Sequence, residues 1–194
     1  MPDRLRIDDE GIARCWWCGD DPLYVKYHDT EWGRPLVGDD RWFEKMCLEG
    51  FQAGLAWITI LRKRENFRAA FDGFHIDTVA GYDEADVLRL LGDAGIVRHR
   101  GKIESTINNA HRAIEVRDEF GSLAAFMEQF RSPRAPGLSP TDDIPPTSPE
   151  SVAMSKVLRK RGWSFVGPTT MYAMMQSAGL VNDHVHGCFV LDET

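Results

Sequence analysis

The sequence predicts an all-α protein, and three observations carry that prediction. Apolar residues recur at helical spacing through Trp42, Phe43, Met46, Cys47, Gly50, Phe51, Gly54, Leu55 and Ile58. Ser148 followed by Pro149 is a helix start signal, a hydroxyl N-cap before a proline at the first helical position. No stretch alternates apolar and polar residues convincingly enough to make a strand.

Taken in chain order, the first periodic run is read as two helices broken near Gly54. Further helices are expected at 83–93, 102–117 and 121–131. Residues 131–150, RSPRAPGLSPTDDIPPTSPE, hold six of the ten prolines and read as an extended loop wrapping between two helical parts, a connection more than a site. The start signal at Ser148 opens a helix over 149–161 that ends at Gly162. A short hydrophobic turn containing Phe165 and a second glycine, Gly167, then leads to a last helix beginning near Pro168.

A chain of 194 residues with 43% hydrophobic and 27% charged residues is long enough for one domain with a real core, or two lobes sharing a cleft. No apolar run approaches the roughly 20 residues that span a bilayer, and MPDRLRIDDEGIAR is polar, so the expectation is a cytoplasmic protein without a membrane partner. Four cysteines in such a chain do not make a disulfide framework. The net charge of -7 argues against nucleic acid, but basic patches at 61–68, 98–102 and 158–162 leave room for one binding face. Taken alone, each patch is better read as a solvated helix end.

Within CLEGFQAGLAWITIL, Glu49 is the sole charge between Lys45 and Arg62. An ionised carboxylate in a core-like run is costly unless something needs it there. Cys15 and His28 near the start, with His184, His186 and Cys188 in HVHGC near the end, have spacings that suit a tetrahedral zinc site. Cys18 and His186 compete for the same places, so spacing alone leaves the set open between metal ligands and buried, hydrogen-bonded side chains. Around His28 gather Trp16, Trp17, Tyr24, Tyr27 and Trp32. Single aromatics are ordinary core residues, but five in a short polar stretch suit a flat, electron-poor ligand, more so a cationic one. Glycines at 162 and 167 let backbone amides at a helix N-terminus approach a phosphate, although a plain helical hairpin looks the same locally.

Between Arg14 and Cys188 the motifs DPLYVKYHDTEWG, CLEGFQAGLAWITIL, DAGIVRHRGKI, KRGWSFVG and GLVNDHVHGC closely resemble the 3-methyladenine DNA glycosylase I family, a branch of the helix-hairpin-helix DNA repair glycosylases. The resemblance implies a two-lobed helical domain over 14–190, leaving 1–13 as a polar extension and 191–194 as a tail. It implies Glu49 as the catalytic carboxylate and Tyr24, Tyr27 and Trp57 as base-pocket residues, with Trp17 and Trp32 nearby. It also implies one structural zinc on Cys15, His28, His184 and Cys188, joining the terminal segments, with Cys18 and His186 outside the set. Gly162, Phe165 and Gly167, with Lys160 and Arg161 beside them, become the DNA contacts. Gln52 is read as a pocket or strand-plugging residue, or as solvent-facing. Where the wider superfamily carries a catalytic aspartate this chain has Asn182, and where bifunctional members carry a lysine it has Thr169, which implies a monofunctional enzyme. The implied partner is double-stranded DNA bearing alkylated adenine, the product free 3-methyladenine, and the protein a monomer. Two rivals stand beside this reading: a zinc hydrolase with Glu49 as general base, and a non-catalytic zinc-dependent DNA-binding protein.

Overall fold

The structure, a computed structural model, describes residues 4–193, so the first three residues of the expected extension and Thr194 of the tail lie outside the described residues. The helices are α1 (Pro22–Thr30), α2 (Asp39–Gln52), α3 (Trp57–Ala70), α4 (Ile76–Ala80), α5 (Glu84–Gly92), α6 (Arg100–Phe120), α7 (Leu123–Glu128), α8 (Pro149–Lys160) and α9 (Pro168–Ser177). The expected break falls between α2 and α3, where Gly54 adopts φ 82°.

One expectation fails. A strand β1 (Leu5–Ile7) pairs antiparallel with β2 (Ala13–Cys15), Leu5 opposite Cys15, so the fold is mostly helical and not all-α. Three-residue strands are too short for alternation to register in sequence. What builds the hairpin is its turn: the Asp8 carboxylate accepts from the amides of Glu10 and Ile12 at 3.0 and 2.9 Å. Two further helices lie outside the sequence expectations. α4 is a five-residue piece, whereas α1 begins with Asp21 and Pro22, the same start signal as Ser148 and Pro149.

Every residue of α2 from Trp42 to Phe51 is buried, because α3, α6, α7 and α9 all pack against it. A helix enclosed on all sides must satisfy its polar side chains internally. The main core runs from Trp42 to Val181 through all the later helices. A smaller cluster of Cys15, Val185, Cys188 and Val190 binds the two ends of the chain together. The proline-rich loop is tied down as well. Leu138 bridges Val185 in parallel, Gly137 N donates to Asn182 O at 3.0 Å, and Arg134 pairs with the buried Asp183. No helix among the described residues is long and apolar enough to cross a membrane.

Candidate active site

Asp21 sets the first wall. Its carboxylate caps α1 by accepting from Leu23 N at 2.9 Å and pairs with Arg62 of α3 at 2.5 Å, locking the two helices together. Tyr24 and Tyr27, one helical turn apart, then share a face of α1. Trp17, from a 3-10 turn at Trp16–Cys18, stands 5.2 Å from Tyr24 and 4.9 Å from Trp32 between ring centroids, and Trp57 opens α3 at 5.5 Å from Tyr27. These five aromatics, with Glu49 and Gln52 of α2, line one cavity of about 180 Å³. Gln52 is thus placed at the cavity, its amide donating to Leu55 O at 3.0 Å.

Glu49 is 3% exposed, and its Oε1 lies 3.3 Å from Lys45 Nζ. Burial pushes the carboxyl above its ordinary range, with Lys45 and Ser177 pulling it back down. Burial likewise raises both phenols, Tyr24 to about 12, so each stays a neutral hydrogen-bond donor. The cavity is closed by residues the sequence did not mark: Ala173, Gln176 and Ser177 of α9, and Ile144. Ile144 corrects the reading of 131–150 as a connection only, since the loop supplies part of the cavity wall. Nothing local marks Gln176 or Ser177; their place follows from α9 packing on α2. Lys45 was legible, standing four residues before Glu49 on the same helix.

At the chain ends, the ligand atoms of Cys15, His28 and Cys188 lie within 4.8 Å of one another, all buried. His28 Nδ1 is 2.7 Å from Asp29 Oδ1, leaving Nε2 toward the thiols, 3.5 Å from Cys188 Sγ. The fourth expected ligand, His184, stands outside that trio but beside it, its ring 5.2 Å from that of His28. Its Nδ1 is 2.9 Å from Asn182 Oδ1, and its Nε2 is buried without a hydrogen-bond partner. Burial lowers this imidazole to about 3, which keeps it in the neutral, metal-binding form. Cys18 turns away, its thiol directed at Cys15 O at 3.1 Å, and His186 is exposed.

At the turn between α8 and α9, Gly162 takes φ 83° and Phe165 the left-handed φ 54°, its side chain 39% exposed. A non-glycine residue held there stores about 1–3 kcal/mol of strain, which accumulates at functional sites. α6 clamps the turn: Asn109 exchanges bonds with Ser164 N and O at 3.0 Å each, and Asn108 donates to Gly162 O at 2.9 Å. The amides of Gly162, Trp163 and Ser164 donate to Arg159 O, Leu158 O and Asn109 Oδ1, whereas those of Phe165, Val166 and Gly167 have no hydrogen-bond partner among the described residues. Lys160 is exposed. Arg161, expected as a DNA contact, engages Glu119 at 2.7 and 2.9 Å and lies over the rings of Phe120 and Phe126.

A cleft with aromatic walls and a buried carboxylate, in a mostly helical protein, has the shape and lining to suit one flat, electron-poor ring. The chain belongs to the methyladenine glycosylase family, whose model matches residues 17–191. It is 48% identical over 179 residues to DNA-3-methyladenine glycosylase 1 of Escherichia coli K12, covering 91% of this chain and 96% of that one. Among solved structures, a 3-methyladenine DNA glycosylase I superposes with a TM-score of 0.86 at 48% identity, covering 91% of this chain and 98% of the other. The Staphylococcus aureus 3-methyladenine DNA glycosylase I, solved for the structural basis of its 3-methyladenine recognition, gives 0.85 at 32% identity, covering 91% and 95%.

Proposed function

We propose that the chain excises 3-methyladenine from alkylated DNA by hydrolysing its N-glycosidic bond, the first step of base excision repair. The observation that carries this is the convergence of Glu49 with Tyr24, Tyr27, Trp57, Trp17 and Trp32 on one cavity. N3-methylation makes the base cationic. When the bond between C1′ and the base nitrogen breaks, the electron pair leaves with the base, which departs neutral as 3-methyladenine. Water adds its oxygen to C1′ and gives its proton to solvent. Strong leaving-group protonation is unnecessary, so the protein's work is to extrude the nucleotide, hold the ring and favour positive charge on the sugar.

Tyr24, Tyr27 and Trp57 stack against the cation, worth about 1–2 kcal/mol over a neutral ring once desolvated. Glu49 accepts from the amino edge and disfavours bases that present an acceptor there. The amides of Phe165 to Gly167 and the N-terminus of α9 hold backbone phosphate in the manner of a helix-hairpin-helix, with Lys160 adding charge. Such a face lets an acidic protein bind double-stranded DNA. Thr169 offers no amine for a Schiff base, so the reaction stops at base release, and one chain carries the whole site.

A zinc ion is proposed at the chain ends. The donor set fits: two thiols, and two imidazoles whose Nδ1 atoms are each oriented by an oxygen, Asp29 for His28 and Asn182 for His184. The partnerless buried Nε2 of His184 is the strongest sign that a ligand bond belongs there. Cys15, His28, His184 and Cys188 would hold it, closing all four positions, so it ties the segments and supplies no reactive water. That closure disfavours the zinc-hydrolase reading, and the intact cleft disfavours a non-catalytic DNA-binding protein.

The test is release of free 3-methyladenine from methylated duplex DNA, beside a Glu49→Gln variant shown to be folded. Release by the wild type and a loss of at least about a hundredfold in the variant are expected. No release by the wild type would sink the assignment.

A further inference from the structure

Behind the base cleft lies a second, narrower cavity, and Tyr27, Trp57 and Ser177 line both, forming a partition between them. Lys45 lies on the far side, with Glu31, Arg41, Glu44 and Arg64. Its amine reaches forward to three members of the cleft: it donates to Tyr27 Oη at 2.7 Å, lies 3.3 Å from Glu49 Oε1, and sits 4.0 Å from the centroid of the Trp57 ring. The other charges there form closed sets of their own. Glu31 is held by Arg64 at 2.5 and 2.9 Å, and Glu44 by Arg41 and by Arg68 at 2.8 Å. Lys45 is left to Glu49.

Resting on the reading of Glu49 as the base-recognising carboxylate, we propose that Lys45 is a positioning residue for excision, which from behind Tyr27 and Trp57 keeps Glu49 ionised and fixed in place. A base in the cleft does not touch it. Glu49 faces Tyr24 and Tyr27 from α1, Trp57 from α3, and Gln176 and Ser177 from α9, none of them a cation. Removing Lys45 would leave a buried carboxylate with no counter-charge, and such a group takes up a proton instead. Lys45 itself faces Glu31, Glu44 and Glu49 against Arg41 and Arg64. Burial pulls its amine down and Glu49 pulls it up, so the two ions support one another.

The sign follows. Without the ammonium, Glu49 protonates at higher pH, so the acid limb of kcat/KM moves upward. The positive charge of the substrate base comes from methylation and not from an added proton, so the acid limb does not require protonation of the base. Lys45→Met keeps the stem and removes the charge; activity is expected within a few-fold of wild type at about pH 8.5 and lower by at least about tenfold at about pH 6, a shift of one unit or more. Lys45→Gln, which can still hydrogen-bond Tyr27, should shift equally, and Lys45→Arg should restore the wild-type limb. An unmoved limb in both neutral variants, or an equal loss at every pH, overturns the proposal. Should the variants not fold, carbon-13 NMR of Lys45 in the wild type must show an ammonium throughout the working range, and a neutral amine overturns it. A fully active Glu49→Gln would instead strike the reading of Glu49; an inactive one beside an unmoved Lys45→Met limb strikes Lys45 alone.

Discussion

Among the buried polar clusters of the described residues, one lies at the floor of the cleft and another at the joined chain ends. They are built differently. At the cleft, Glu49 and Lys45 lie on one helix, four residues apart, and answer each other's charge. At the ends, Cys15 and His28 meet Cys188 and His184 across nearly the whole chain, and His184 Nε2 finds no partner. The first cluster is electrically complete with an empty space beside it; the second has its polar groups turned inward on themselves and remains one bond short. The difference teaches that a site for a transient guest is stabilised by protein alone, whereas the proposed ion site would borrow stability from its ion.

The largest test of that contrast is removal of the proposed ion. Chelation, or Cys15→Ala, is expected to cost about 3 kcal/mol or more, lowering Tm by about 6–12 °C for a chain of this size, as read by calorimetry with and without added zinc. An unchanged Tm would make the two clusters alike and remove the metal from the account. Next in size is Tyr24→Leu, which deletes a wall without reaching Lys45. Binding of a cationic 3-methylated adenine derivative, followed by tryptophan fluorescence, should weaken about 5–30-fold, with less change for the neutral free base. Equal weakening for both would show that the wall reads shape and not charge. The smallest is Arg161→Ala. Because Glu119 occupies that guanidinium, DNA affinity should stay within about twofold while stability falls by about 0.5–1 kcal/mol. A large loss of affinity would mean that the pair opens to phosphate. Across all variants, log affinity should fall only shallowly with log salt, as amide contacts imply, and a steep slope would contradict the amide-based face.

The sequence made the cleft legible where chemistry was concentrated locally. One charge in an apolar run marked Glu49, and a crowd of rings in a polar stretch marked Tyr24, Tyr27, Trp17 and Trp32. Spacing at the two chain ends marked the thiols and imidazoles but not which of them meet, since that depends on how residue 15 is carried to residue 188. Ile144, Gln176 and Ser177 carry no local signal at all; a proline-rich loop and the back of α9 become walls only once packed against α2. The short hairpin at 5–15 escaped for a related reason, its pairing being fixed by Asp8 and by the clasp beneath Cys15 more than by its own pattern.

The joining of the two ends also sets an order of events in the life of the chain. The aromatic wall on α1 and its neighbour Cys15 are synthesised well before Ser177, His184 and Cys188. The cleft therefore has no back wall, and the clasp no closing pair, until those later residues have been made. A chain stopped before α9 would present an unclosed aromatic surface instead of a working cleft.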